Sequence, residues 1–307
     1  MVLNGSPWRE IQTDIEAIEK ERTLFDQANF IGRVEAIDRL EFYILGRIGV
    51  ALDSHPAKDL LDLKDRAERL RDGLEEINAR LFRKLRAQIK SGSLTGEKLK
   101  RELENYSRDN DGSGRDYDGL DVLVSGLLRL NTPPHEIQPR EPEMVFYQPT
   151  PARIILELVE KMSITPDEVF YDLGSGLGHV CILVNLLTGV RTKGVEFEPA
   201  YCDYARRCAS RLNLSRVEFI NMDARTADYS DGTIFFMYTP FRGGLLEGVL
   251  RKLRRESDKR TISICSYGPC TLDVSNQMWL RRVDRNPNTE HALAIFETAK
   301  RDFLEER

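Results

Sequence analysis

Apolar positions recur at helical spacing over the first third of the chain and then give way to short runs of β-branched and aromatic residues. Ile11, Ile15 and Ile18 mark one amphipathic helix, and Ile31, Val34, Ile37, Leu40 and Ile44 mark a second. Pro56 interrupts the pattern. Beyond it Leu63, Ala67, Leu70, Leu74, Ile77, Leu81 and Leu85 alternate in steps of four and three. That spacing is the seam of a helical hairpin in a small bundle, with an oligomerising coiled coil as the alternative. Ser91-Gly92-Ser93 ends this helix, a short one follows through Leu103, another covers 123–130, and Pro133-Pro134 closes the region. The expected organisation is an all-helical amino-terminal domain over 1–130, a linker over 131–142 and a second domain over 143–307.

The second domain opens on Thr150, suited to cap a helix with Pro151 in its first position and Ile154, Ile155, Leu158, Val159 and Met162 as its buried stripe. Val169-Phe170-Tyr171-Asp172 then reads as a buried strand, followed by three alternate glycines and a run from Val180 to Leu187 long enough for a buried helix. Further strands are predicted over 191–196, 217–224, 232–238 and 261–266, with a helix carrying Leu245, Leu246, Val249, Leu250 and Leu253 between the last two. A hairpin over 278–283 and 292–296 completes the set. Strands alternating with helices predict an α/β fold with an open, mostly parallel sheet, whose ligands bind beyond the carboxyl ends of the strands.

Composition narrows the class. Hydrophobic residues make up 41% and charged residues 31% of 307, with a net charge of -5, which describes a soluble globular chain and argues against a general basic grip on nucleic acid. The basic clusters at 251–255 and at Arg281-Arg282 read as solvated faces. Five cysteines without a Cys-x-x-Cys pair fit a reducing compartment and no zinc site. The amino terminus lacks a signal pattern, and no run approaches the ~20 apolar residues of a membrane span, so a cytoplasmic location and no membrane partner are expected. Asp109-Asn110-Asp111-Gly112-Ser113-Gly114 resembles a calcium loop, but its twelfth position is Leu120, so a solvated turn is the expectation and no metal is assigned. The pattern sets no oligomeric state.

The glycine turn carries the chemistry. A dinucleotide fingerprint needs its third glycine at position 179, which is His179; the chain instead has Asp172-x-Gly174-x-Gly176-x-Gly178. Glycines let the backbone approach a nucleoside and take positive φ, and a carboxylate at the strand end suits a cationic amine. Glu196 stands 24 residues after Asp172, near the offset at which an acid meets ribose hydroxyls, and Asp223 ends the next strand. Any one of these is commonly a solvated acid or a helix cap, and their recurrence at successive strand ends favours a shared ligand.

With these residues the chain resembles the class I S-adenosylmethionine-dependent methyltransferases. The resemblance implies a seven-stranded Rossmann-like sheet with its last strand antiparallel, and S-adenosyl-L-methionine as cofactor. It further implies a cofactor site of Tyr147, Gln148, Thr150, Asp172, Gly174, Ser175, Gly176, Glu196, Phe197, Asp223 and Ala224, in which Glu196 takes the ribose and Asp223 the adenine amino group. Within the class, Thr150-Pro151, Asp172-Leu173-Gly174-Ser175-Gly176-Leu177-Gly178 and Gly194-Val195-Glu196 are most similar to the non-SET histone-lysine methyltransferases, the disruptor-of-telomeric-silencing family, over 143–266. At the end of the fourth strand Tyr238-Thr239-Pro240-Phe241 replaces that family's asparagine-rich stretch, and also the Asp/Asn-Pro-Pro-aromatic motif of amino-directed DNA methyltransferases. Tyr238 and Phe241 are the candidate acceptor-site residues, offering hydroxyl and carbonyl acceptors and an aromatic wall. The expected function is N-methylation of a protein amine. Nucleic-acid or small-molecule methylation is the less favoured enzymatic alternative, and a non-catalytic helical adaptor on a methyltransferase scaffold is the rival from another class.

Overall fold

A computed structural model describes residues 8–54, 56–106, 117–130, 133–287 and 289–299. The chain divides into two compact units, one up to Ala87 and one from Gln88 onward. The calcium-like run at 109–114 lies outside the described residues.

The first unit holds α1 (Arg9–Lys20), a 3-10 turn (Arg22–Phe25), α2 (Phe30–Asp38), a π-helical segment (Arg39–Leu45), α3 (Gly46–Ser54) and most of α4 (Lys58–Lys90). Ile11, Ile15 and Ile18 pack with Leu40, Ile44, Ile48, Leu60, Ala67 and Leu74 in one core. The second predicted stripe is displaced in its first half: Phe30, Arg33 and Ala36 are buried, and Ile31, Val34 and Ile37 only partly so. The reason lies in the spacing of the buried positions. Leu40, Ile44 and Ile48 recur every four residues, which overshoots a 3.6-residue period, and the wider π turn keeps all three facing inward. The fully buried Arg33 donates through Nε to Asn78 Oδ1 (2.8 Å) and through its terminal nitrogens to the carbonyls of Leu24 (3.1 Å), Gln27 (3.0 Å) and Asp26. A guanidinium this deep needs such saturation.

The second unit is built on a seven-stranded sheet: β1 (Val169–Leu173), β2 (Arg191–Glu196), β3 (Val217–Asn221), β4 (Ile234–Tyr238), β5 (Ser263–Tyr267), β6 (Leu280–Arg282) and β7 (Ala294–Thr298), in the order 3-2-1-4-5-7-6. The first five are parallel, and β7 runs antiparallel to both β5 and β6. Helices α5 (Glu97–Glu104), α6 (Gly119–Leu128), α7 (Ala152–Lys161), α8 (His179–Thr188), α9 (Pro199–Arg211), α10 (Gly243–Ser257) and α11 (Cys270–Ser275) complete it. Both α5 and α6, grouped by sequence with the amino-terminal helices, pack here against α8. Tyr171, Tyr229 and Phe235 stack and cross edges within the core below the sheet, beside Met237, Leu246, Val249 and Leu253. Because β1 pairs with both β2 and β4, the chain leaves β1 on one side and β4 on the other, which opens a crevice above their carboxyl ends.

One expected cap is replaced. Thr150 makes no capping bond, and Pro151 occupies the cap position of α7 rather than its first turn. The first free amide, Ala152 N, instead donates to Asp121 Oδ1 (2.7 Å), while Oδ2 of the same carboxylate accepts from Asp118 N (2.9 Å) in the capping box of α6. Asp121 thus serves two helix starts, and burial holds its pKa above the usual carboxylate range.

Candidate active site

The crevice over β1, β2 and β4 is lined by Tyr147, Gln148, Gly174, Gly176, Glu196, Phe197, Asp223, Ala224, Tyr238 and Phe241, all expected from the sequence. Three other expected residues do not line it. Asp172 is 3% exposed at the end of β1, and Thr150 is buried. Ser175 turns its side chain over Gly194, where an added Cβ would meet its Oγ at 2.5 Å.

The glycine requirement is steric as well as conformational. Gly174 and Gly176 have φ of 80° and 50°. A Cβ on Gly174 would lie 2.2 Å from Pro240 Cβ, and one on Gly176 2.4 Å from the Tyr147 ring, so no side chain enters without moving a wall of the crevice. The turn is tied to β2 by the amides of Gly174 and Ser175, which donate to the Val195 carbonyl at 2.8 and 3.1 Å. Glu196 is fixed in turn: its Oε2 accepts from Gly176 N (2.7 Å) and its Oε1 from Glu198 N (2.8 Å).

Electrostatics mark this corner. Burial, with the nearby Glu196 charge adding to it, pushes Asp172 up to about 8, and burial also raises Glu196. Two desolvated carboxylates side by side favour a cationic ligand that would draw both back to the ionised form. His179 Nδ1 lies 3.1 Å from the Tyr147 hydroxyl, and burial lowers its pKa to about 4, so the ring is a neutral imidazole. Its Nε2 and Ser175 Oγ are buried without a hydrogen-bond partner.

Asp223 differs from the other two acids. Arg225 donates to it from its backbone amide (2.8 Å) and from Nε (2.9 and 3.0 Å), then reaches Glu141 Oε1 at 2.7 Å. The guanidinium holds Asp223 below its ordinary pKa. The carboxylate expected to be free for an adenine amino group is therefore already engaged, although the residue lines the crevice.

On the opposite side, Tyr238 lies 4.9 Å from Tyr267, centroid to centroid, and shares hydroxyl contacts with Tyr117, which donates to the Pro149 carbonyl at 2.6 Å. Burial raises both Tyr117 and Tyr238, so both hydroxyls are neutral. Thr239 takes φ of 39°, a strained value for a β-branched residue, held by Oγ1 contacts to the Tyr267 carbonyl (3.3 Å) and from Cys270 N (3.1 Å). Phe241 is only 7% exposed and belongs to the core, forming a β-bridge with Met144.

A strap over 136–148 supplies a further wall that periodicity did not reveal, with Glu136, Arg140, Met144, Val145 and Phe146 on the crevice. Arg140 stacks 3.4 Å above the Phe146 ring. Val145 N donates to the Pro240 carbonyl (3.1 Å), and the Glu143 carboxylate accepts from Gly244 N (3.1 Å) and Leu245 N (2.8 Å) at the start of α10. The sequence signal for this was slight: an acid in a proline-rich stretch, and a Gly243-Gly244 pair whose helix start lacks a local cap.

A glycine turn closed against β2, acids at successive strand ends and a 3-2-1-4-5-7-6 sheet define a class I S-adenosylmethionine-dependent methyltransferase. Residues 144–236 match the family model described as "Histone methylation protein DOT1", which gives the enzyme a DOT1-like core. No curated protein matches the chain. Among solved structures, an RNA methyltransferase from Salinibacter ruber in complex with S-adenosyl-L-homocysteine is 24% identical over 49% of this chain and 92% of that one, with a TM-score of 0.39. Precorrin-6y C5,15-methyltransferase from Geobacter metallireducens GS-15 is 18% identical over 51% and 94%, TM-score 0.39. The tRNA (uracil-54, C5)-methyltransferase of Pyrococcus abyssi, also with S-adenosyl-L-homocysteine, is 24% identical over 50% of this chain and 40% of that one, TM-score 0.38. No helix among the described residues is long and apolar enough to cross a membrane.

Proposed function

We propose that this enzyme methylates a nitrogen of an amine presented by a protein, with Tyr238, Tyr117 and Tyr267 around the acceptor. The observation that carries the reading is the acceptor side of the crevice. It is lined by Tyr238, Thr239, Pro240, Phe241 and Arg242, with the neutral Tyr117 hydroxyl beside Tyr238, and Tyr238-Thr239 stands where an Asp or Asn would bind a flipped base amine. The match to the DOT1 model supports a protein acceptor.

When bound, S-adenosylmethionine supplies an electrophilic methyl group on a sulfonium. Asp172, buried behind the crevice wall, is proposed to act on its ammonium from there, Glu196 on its ribose, and Phe197 and Ala224 on its adenine, with the Arg225-held Asp223 at the same edge. The Gly174 and Gly176 backbone, with Ser175 behind it, forms the floor. Tyr147 and Gln148 border the methionine end, with the buried Thr150 behind them. An ammonium acceptor has no lone pair, so the aromatic wall of Tyr238, Tyr267 and Phe241 acts by desolvating it toward the neutral amine. The Tyr238 hydroxyl and nearby carbonyls then orient its remaining N–H groups for in-line attack. Because burial keeps the Tyr117 and Tyr238 hydroxyls neutral, they are poor bases, and the amine's proton leaves to solvent before transfer.

The test is transfer of labelled methyl from S-adenosylmethionine to a basic protein mixture rich in histones, to duplex and single-stranded nucleic acids, and to small amines. Label in protein at an amine nitrogen is expected. Label confined to nucleic acid or small molecules would overturn the acceptor assignment, and absence of S-adenosylhomocysteine binding by folded protein would favour the adaptor instead.

A further inference from the structure

Resting on the cofactor site just proposed, we infer that Glu198 is a positioning residue whose carboxylate clamps the strap over the bound nucleoside. Glu198 is 5% exposed and precedes α9, where it caps the helix by accepting from Ala200 N at 3.0 Å. A cap needs one such bond. The same carboxylate takes two more, from Ile137 N (3.1 Å, to Oε1) and Gln138 N (3.0 Å, to Oε2), consecutive amides some sixty positions earlier in the chain. One turn further along α9, Tyr201 completes the clamp: its hydroxyl donates to Glu136 (3.0 Å), and its ring packs 5.3 Å from that of Tyr147. The two ends of the strap therefore return to the first turn of one helix. Between them lie Arg140 and Met144 on the crevice wall, while Glu143 fixes the far side to α10.

The arrangement does what a pre-ordered wall must do. A loop held at both ends loses little freedom when ligand arrives, so more of the contact energy appears as affinity. Glu198 also couples the wall to the ligand's floor, because its amide donates to Glu196 Oε1, beside the bond from Gly176 N. Its carboxylate and its amide thus act on opposite sides of one crevice.

Glu198→Asp separates the two roles. Aspartate caps a helix at least as well as glutamate but is one methylene too short to hold Ile137 N and Gln138 N as well. S-adenosylhomocysteine is titrated calorimetrically into wild type, Glu198→Asp and Glu198→Ala, and amide exchange is followed without ligand. Both variants are expected to bind about tenfold more weakly, the equivalent of about 1.4 kcal/mol. Both are also expected to lose protection at 137–138 while the amides of β1 and β4 stay protected. Binding by Glu198→Asp within twofold of wild type, or unchanged protection at 137–138, would overturn the inference. If wild type itself fails to bind, the cofactor site is wrong, and the exchange result still decides the clamp.

Discussion

Binding of S-adenosylhomocysteine is expected to release about one proton per site in mildly acidic solution, and the Asp172→Asn variant is expected to lose that release. Burial and the Glu196 charge hold Asp172 protonated up to about 8, whereas in the unfolded chain it titrates near 3.9, about the ordinary value. Between those limits the native state binds the extra proton. The unliganded protein is therefore most stable at the acid end of the window and loses stability as pH rises from about 4 toward about 8. Some four pKa units separate the two states, an upper bound of ~6 kcal/mol at about 1.36 per unit. A ligand ammonium beside the carboxylate reverses the balance, because only the ionised form attracts it. Affinity then climbs about tenfold per pH unit and levels off at about 8, where Asp172 is already ionised in the free protein. From about pH 5.5 to about 7.5 the Kd should fall close to a hundredfold. The assay is calorimetry at three pH values in two buffers of different ionisation enthalpy, which counts protons directly. A wild-type Kd constant within twofold over that range, with no buffer dependence, would refute the placement of Asp172 beside the ammonium.

Gly176→Ala puts a Cβ against the Tyr147 ring in a left-handed residue, so S-adenosylhomocysteine affinity should fall at least about tenfold, with a stability loss of about 1–2 kcal/mol seen in thermal melts. Asp121→Ala removes acceptors for Ala152 N and Asp118 N together, and urea titration should show a loss of about 2 kcal/mol, with Asp121→Asn intermediate. Arg33→Met leaves Asn78 and three carbonyls unpaired in the first unit, and should cost about 3–5 kcal/mol by the same measurement; a loss under about 1 kcal/mol would mean water replaces the guanidinium.

Much of the sheet was legible because strand and helix periods differ. Val169–Leu173 and Ile234–Tyr238 read as buried strands from aromatic and β-branched content alone, and the glycine turn announced the crevice between them. Periodicity could not show what depends on distant pairs. Asp121 closes the local capping box of α6, and nothing in its sequence neighbourhood signals that it also caps α7 across 31 residues. The reach of Glu198 from the start of α9 to the strap is hidden for the same reason. The burial of Arg33 is not legible because a charged residue is expected outside, and only its set of carbonyl partners makes burial tolerable. Asp223 was legible in position but not in state, since whether Arg225 folds back onto a carboxylate two residues earlier is settled by side-chain geometry.

Sharing one carboxylate between the starts of α6 and α7 makes the intervening excursion a cassette with a fixed base. The excursion begins and ends at that shared acid and is tied along its course to α9 by Glu198 and Tyr201 and to α10 by Glu143, so a change in its length is felt at each of these ties. A rim transplanted from a related enzyme would therefore dock in register only if it brought the acids at 136 and 143 and the amides at 137 and 138 to their partners, besides the amide that Asp121 holds.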